Sequence, residues 1–384
     1  MHVAMVLRQF SPYGGLELYA FQLVKGLLER GMRVTVVCEK DDTNWQHERL
    51  KVVNFAAPPT GSSKADKIRH YYQAASAAVA ESGTYDLVHT QHFPINNADV
   101  VTFHNHTVYR LSEVGQTWER VLNGIKVGSS EAYKLREEHD RDLCHQARCL
   151  IFPSKVCLND FKEHYGLEDK HLAVAHPGAS STGATESALG EANSDTFNFL
   201  FVGKGYRKKG LDVLHDASRR LLGRRKKFKL YIAGLRLKPF EKLRLAVMGL
   251  SNHVEYLGFQ KDMDAVYKKA SSIILPSRIE PFGMAPIEGM LRGLVPIVSR
   301  VCGVAEVLTD ESDALILEDH LKVQELAALM EKLMDNPELT KRLSDAALKT
   351  SRKLTWDQTV ESTIAAYNAT LATPSLKATE QQHC

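Results

Sequence analysis

The six cysteines, Cys38, Cys144, Cys149, Cys157, Cys302 and Cys384, contain no C-x-x-C pair and no zinc-type spacing. A disulfide framework or structural zinc site is therefore not expected, and a reducing compartment fits better. No apolar run approaches the roughly 20 residues a membrane-spanning helix requires. The opening "HVAMVLRQF" is cut by Arg8 and lacks both a basic leading region and a small-residue cleavage site, so it does not read as a signal peptide. An excess of one charge is also missing. The 49 basic and 46 acidic residues leave +3, too near balance to imply a nucleic acid or any strongly charged partner. These absences set the expectation of a soluble cytoplasmic protein, with any membrane contact peripheral, at the inner face.

At 384 residues, 44% hydrophobic and 25% charged, the chain is long enough for two domains with separate cores. The strand "HVAMVLR", the loop "QFSPYGG" and the helical spacing of Leu16, Tyr19, Ala20, Leu23 and Leu27, with Gly31 at a C-cap and the strand "RVTVVCE" beyond, form a βαβ unit. Short β-branched runs at "KVVNF", "DLVHT", "DVVTFH", "CLIFPS" and "LAVAH" extend a parallel sheet. "ASSTGATESALGEANSD" is small and polar, as a linker is. The pattern then restarts with "FNFLFVG", a helix over 211–222, and the strands "FKLYIAG", "HVEYLGF", "SIILPS" and "VPIVSR". The expected division is an N-terminal domain 1–178, a linker 179–195, a C-terminal domain 196–354, a helix 355–373 returning to the N-terminal domain, and a disordered tail 374–384.

Two glutamates, Glu280 and Glu288, bracket a strand-to-helix turn in "SRIEPFGMAPIEGM". Pro286 marks a first helical turn that would carry Glu288 and end at Gly293, while Glu280 stays in the loop. Carboxylates accept hydrogen bonds from hydroxyls, and a helix N-terminus at a strand end suits an anion. Both together suit a ligand with hydroxyls and phosphate. In "FLFVGKGYRKKGLDVL", a strand enters a loop bearing Lys204, Arg207, Lys208 and Lys209, cations able to neutralise a diphosphate. Taken separately, a helix-dipole glutamate and a solvated basic loop are the plainer alternatives.

Together "EPFGMAPIE", "VGKGYRKKG", "SPYGG" and "TWDQTVESTIAAY" resemble the retaining glycosyltransferases of the glycogen-synthase-like family 4, over nearly the whole chain. The resemblance implies an α/β fold of two Rossmann-like domains facing a central cleft, the GT-B fold, with a nucleotide-sugar donor on the C-terminal domain and the acceptor on the N-terminal one. It assigns Glu280 to the donor-sugar hydroxyls, the backbone of Phe282, Gly283 and Met284 to sugar and phosphates, Glu288 to the ribose, and Lys209 to the phosphates. Lys204 stands where many members have arginine, and a lysine offers no bidentate fork, so Arg207 or Lys208 is the expected substitute. Gly14 and Gly15 would admit the leaving diphosphate at a strand-to-helix turn. His104 matches the active-site histidine and is preferred to His106. Glu280, His104 and Lys209 are thus the expected catalytic set, with no nucleophilic side chain because the family's front-face mechanism uses the donor phosphate to take the acceptor proton.

His89, His92, His104 and His106 lack metal-ligand spacing, and in "KDMDAVYKKA" Asp262 and Asp264 read as helix-capping residues, so neither a metal nor a cofactor is expected. The basic run "RRLLGRRKKFK" offers contact with an anionic membrane as a further expectation; its sparse aromatics argue against single-stranded nucleic acid. The expected activity is transfer of a hexose from a nucleoside-diphosphate sugar, UDP-linked, to a glycan or glycolipid acceptor, with lipopolysaccharide core as the specific acceptor. The alternatives are a sugar-nucleotide epimerase or hydrolase on the same fold, and an inactive glycan-binding relict.

Overall fold

Val3 and Met5 pack into one apolar cluster and their neighbour Val6 into another, the alternation imposed on a parallel strand buried on both faces. Val34 and Val36 against Val37, and Ile151 against Leu150 and Phe152, divide in the same way. The computed structural model describes residues 1–179 and 196–372. It divides into two units: the first takes Met1–Glu113, Trp118–Pro177 and the chain from Trp356; the second takes Gly178–Thr355 with Val114–Thr117. The expected linker from Ser180 onward and the expected tail lie outside the described residues.

The first domain runs β1 (His2–Val6), α1 (Leu16–Glu29), β2 (Arg33–Cys38), β3 (Leu50–Asn54), α2 (Lys64–Ser82), β4 (Leu87–Thr90), β5 (Val100–Thr102), α3 (Glu131–Gln146), β6 (Cys149–Phe152), α4 (Lys155–Tyr165) and β7 (His171–Val174). Its sheet is parallel, in the order β3-β2-β1-β4-β5-β6-β7. The second domain runs β8 (Phe197–Val202), α5 (Leu211–Gly223), β9 (Phe228–Ala233), β10 (Val254–Gly258), β11 (Ser272–Leu275), α6 (Met284–Met290), β12 (Val295–Ser299), β13 (Leu315–Leu317), α7 (Val323–Asp335) and α8 (Pro337–Ser351). Its sheet is also parallel, in the order β10-β9-β8-β11-β12-β13. Phe199 and Phe201 enter one core and Leu200 another, so this sheet too is covered on both faces. The edge strand Leu315–Leu317 was not anticipated from sequence, being too short to show a period.

The last helix, α9 (Trp356–Ala372), packs on α1, β6 and β7 of the first domain. Arg30 bonds Glu361 at 2.7 Å and Asp357 at 3.1 Å, and Thr359 donates to the His176 carbonyl at 2.7 Å. Deeper in, the Tyr367 hydroxyl lies 2.6 Å from His89 Nδ1, and Thr102 Oγ1 lies 2.8 Å from Nε2. The helices approach so closely that a Cβ on Gly26 would lie 2.4 Å from Val360 Cγ2.

Two charges of the basic run expected as a membrane contact are paired with carboxylates of α7 at the surface. Arg224 pairs with Glu331, and Lys226 sits 2.6 Å from Asp335 and 3.4 Å from Glu331. Among the described residues, no helix is long and apolar enough to cross a membrane.

Gly26→Ala is expected to cost about 1–3 kcal/mol through overpacking, despite the better helix propensity of alanine. In a Val360→Ala background the same change should be neutral or stabilising; urea denaturation of the four proteins measures the cycle, and an equal cost in both backgrounds would deny the contact. A second expectation concerns acid. Burial holds the His89 imidazole at about 3 and His215 at about 4, below the 6.5 of an unfolded chain. The unfolded state therefore takes up protons that the fold refuses, and stability falls as pH drops from about 6.5 toward 4. The slope is up to about 1.4 kcal/mol per pH unit for each such group. A urea midpoint that stays level or rises between pH 7 and 5 would contradict this.

Candidate functional site

In the second domain the chain lays β9 and β10 to one side of β8, then returns to lay β11, β12 and β13 on the other. The neighbours β8 and β11 form a topological switch, where the connections leave in opposite directions and open a crevice at the strands' carboxyl ends. The loops 203–210 and 276–283 both emerge there. Gly210 ends the first with φ 72°, and a Cβ on it would sit 1.9 Å from the Pro276 carbonyl oxygen, so glycine is what lets the two loops touch.

A buried arginine fastens them together. The Arg278 amide donates to the Lys208 carbonyl at 3.0 Å, and its guanidinium donates to Asp212 through two 2.7 Å bonds and also to the Arg207 carbonyl. Arg278 is only 6% exposed. A fork paired with one carboxylate compensates that burial and fixes geometry. Sequence reasoning missed both Arg278 and Asp212; an arginine within the "SRIEP" turn was the available signal.

Beside this clamp, Lys209 Nζ pairs with a Glu280 carboxylate oxygen. The two expected catalytic residues of this domain are thus in direct contact. The Glu280 carbonyl accepts from the Gly303 amide at 3.1 Å, which steadies the loop. Lys204, Arg207 and Lys208 are exposed on the basic loop. Gly283, with φ 99°, caps α6 at its N-terminus, and a Cβ there would meet Leu275 Cδ2 at 2.7 Å. The side chain of Phe282 belongs to the core, at 3% exposure, while Met284 is half-buried.

Glu288 requires a correction. The helix begins at Met284, two residues before Pro286, which stays in the first turn as expected while Glu288 falls in the second instead of the first. Gly283 supplies the start because its left-handed backbone turns the chain into the helix two residues earlier. The Glu288 carboxylate accepts from the Tyr267 hydroxyl at 2.6 Å, and Arg292 lies 4.9 Å over the Tyr267 ring. Burial, then the adjacent Glu288 charge, push the Tyr267 hydroxyl well above its ordinary pKa and keep it a donor. Of the expected capping aspartates only Asp262 caps, accepting from the Ala265 amide at 3.1 Å; Asp264 accepts from Arg292 at 2.6 Å.

The first domain repeats the switch between β1 and β4. Gly14, at φ 113°, and Gly15, the N-cap residue of α1, lie in the loop that follows β1. His104 follows β5, its ring 4.9 Å edge-on from Tyr19 of α1. Its Nε2 lies 2.8 Å from the Gln91 amide oxygen, an acceptor, so Nε2 carries the proton. Burial, then the neighbouring His92 and His89, lower the imidazole to about 3, leaving it neutral near pH 7. His92 adopts φ 52°, sets Nε2 2.8 Å from the buried Asp140 and accepts the His104 amide on Nδ1 at 3.2 Å. His106 is engaged elsewhere, surrounding buried Asp160 together with Thr107, and its Nδ1 lies 2.8 Å from that carboxylate. Among the described residues, no group of three or more His, Cys, Asp or Glu is arranged to hold a metal ion.

Residues 13–181 match the family described as Glycosyltransferase Family 4, and residues 185–350 the family described as Glycosyl transferases group 1. A D-inositol 3-phosphate glycosyltransferase of Thermobifida fusca is 24% identical over 401 residues, covering 93% of this chain and 89% of the relative. Among solved structures, WaaG, a glycosyltransferase involved in lipopolysaccharide biosynthesis, aligns with a TM-score of 0.76 at 17% identity over 95% of this chain and 98% of its own. Anabaena HepE in complex with UDP-glucose aligns at 0.69 and 18% identity over 96% and 100%. The chain is a glycosyltransferase with the GT-B fold.

Proposed function

We propose that the chain transfers a hexose, with retention of configuration, from a UDP-sugar to a cell-surface glycan of the lipopolysaccharide-core kind. The observation that carries the donor half is the Lys209–Glu280 pair at the switch between β8 and β11. Each charge holds the other in place and offsets its partial burial. A diphosphate would draw on the ammonium, and the carboxylate would accept from donor-sugar hydroxyls. Lys204 and Arg207 on the same loop add positive charge for the phosphates. Glu288, oriented by Tyr267, accepts from the ribose hydroxyls with its remaining lone pairs.

The solved neighbour with UDP-glucose supports a uridine nucleotide, and WaaG supports the acceptor class. Charge developing on the departing diphosphate would meet preorganised cations, an electrostatic contribution of several kcal/mol in comparable sites. His104, neutral at physiological pH, serves as a hydrogen-bonding group in this reading rather than as a cation.

Glu288→Ala and Lys209→Ala are expected to weaken UDP binding, each by about tenfold or more, as loss of a charge-assisted bond does. Glu280→Ala should reduce turnover far more than UDP affinity. Calorimetric titration with UDP and a coupled assay of UDP release measure the two effects; unchanged binding and turnover in all three variants would remove the site assignment. Product analysis with an added lipopolysaccharide-core acceptor separates transfer from epimerisation or hydrolysis, because only transfer elongates the acceptor.

A further inference from the structure

The second domain leaves one helix face uncovered. In the helix Pro239–Val247, Phe240, Leu243 and Val247 are 75%, 64% and 78% exposed. Their spacing of three and four residues sets them in one stripe along the helix. Leu237, three residues before Phe240, is exposed as well, and so is Phe259. The Gly234 amide donates to the Gly258 carbonyl at 2.7 Å, and a Cβ on Gly258 would lie 4.0 Å from Arg236 Cγ, so the loops that carry Leu237 and Phe259 run side by side. Single exposed apolar side chains are ordinary, whereas a row of them marks an interaction surface.

The stripe is not the inner face of a badly seated helix. Leu245, on the opposite side, and the following Met248 enter the core of the domain. Arg244 donates to the Tyr206 hydroxyl at 2.8 Å and to Asp216 at 3.3 Å, and Glu241 accepts from the Lys238 amide at 3.0 Å. The helix is thus held from within and at its first turn, and its apolar stripe is presented outward in a fixed position.

Cations border the stripe. Lys242 flanks it on the helix, Arg236 and Lys238 precede it, and Lys261 lies two residues beyond Phe259; all four are exposed. Among the described residues, none of the four has a carboxylate within ion-pair distance. The one carboxylate in the stretch 236–247, Glu241, is turned to the Lys238 amide. An apolar stripe rimmed by unpaired cations matches a surface with hydrocarbon beneath anionic headgroups. A second copy of this chain, docked by the same face about a two-fold axis, would instead bring the cations against one another.

We infer that the helix Pro239–Val247, with Leu237 and Phe259, is a docking surface for an anionic lipid bilayer. The apolar side chains enter the headgroup boundary, and Arg236, Lys238, Lys242 and Lys261 meet the headgroup phosphates. This surface is separate from the basic run 219–229, in which Arg224 and Lys226 are taken by Glu331 and Asp335.

Flotation of the full chain with phosphatidylcholine vesicles, with and without phosphatidylglycerol, tests the inference. Binding is expected on vesicles that contain phosphatidylglycerol, should fall as salt is added, and should be far weaker on phosphatidylcholine alone. A Phe240→Gln, Leu243→Gln variant should lose about tenfold or more in vesicle affinity. A Lys238→Gln, Lys242→Gln variant should lose about fivefold per lysine. All four positions are exposed, so both variants should keep the wild-type circular dichroism; misfolding of one leaves the other as the test. No binding to anionic vesicles, equal binding to neutral ones, or wild-type binding by either folded variant would overturn the inference. So would a dimer in light scattering that Phe240→Gln, Leu243→Gln abolishes, because a second copy would then cover the face.

Discussion

Parallel strands can be joined only by crossovers, and each domain reverses the direction of its crossovers once, between β8 and β11 and between β1 and β4. At that reversal the two connections diverge, leaving the carboxyl ends of adjacent central strands uncovered. Every candidate residue follows from this constraint. The basic loop and the Glu280 loop meet because their strands are neighbours in the sheet, although they are not consecutive in the chain. The Gly14–Gly15 turn, His92 and His104 share one edge for the same reason.

Crowding cations and carboxylates at such an edge carries an electrostatic cost, which the second domain offsets with a division of labour. Arg278 and Asp212, both largely withdrawn from solvent, form a bidentate pair that holds the two loops together. Beside them Lys209, more accessible than Arg278, pairs with Glu280, and this is the pair proposed to meet the ligand. In the first domain, burial keeps His104 and His89 uncharged, and their hydrogen bonds to Gln91, Thr102 and Tyr367 tie this edge to the sheet and to α9. Closing helix α9 thus reaches, through Tyr367 and His89, the strands on which the histidine cluster stands.

Much of the fold was legible because its signals are local. Alternating β-branched runs separated by helical spacing are what a sheet covered on both faces demands, and the two strand-to-helix turns that matter carry glycine where a Cβ would collide, at Gly210 and Gly283. The E-x₇-E stretch and the basic loop were visible as residue types suited to a phosphorylated, hydroxylated ligand. The start of α6 was less legible. Proline is a strong local marker of a first helical turn, whereas Gly283, immediately before the helix, acts through its left-handed backbone and its close approach to Leu275.

The sequence by itself determined the layered α/β architecture, the two-domain restart and the chemical character of the basic loop and the Glu280 loop, since periodicity and turn chemistry are set within a few residues. Only the tertiary structure decided that Arg278 clamps Asp212 across 66 residues and that Glu288 is oriented by Tyr267. Those contacts depend on strand order and on which helix covers which face, and no local pattern encodes the distance between residues brought together from separate turns of the chain.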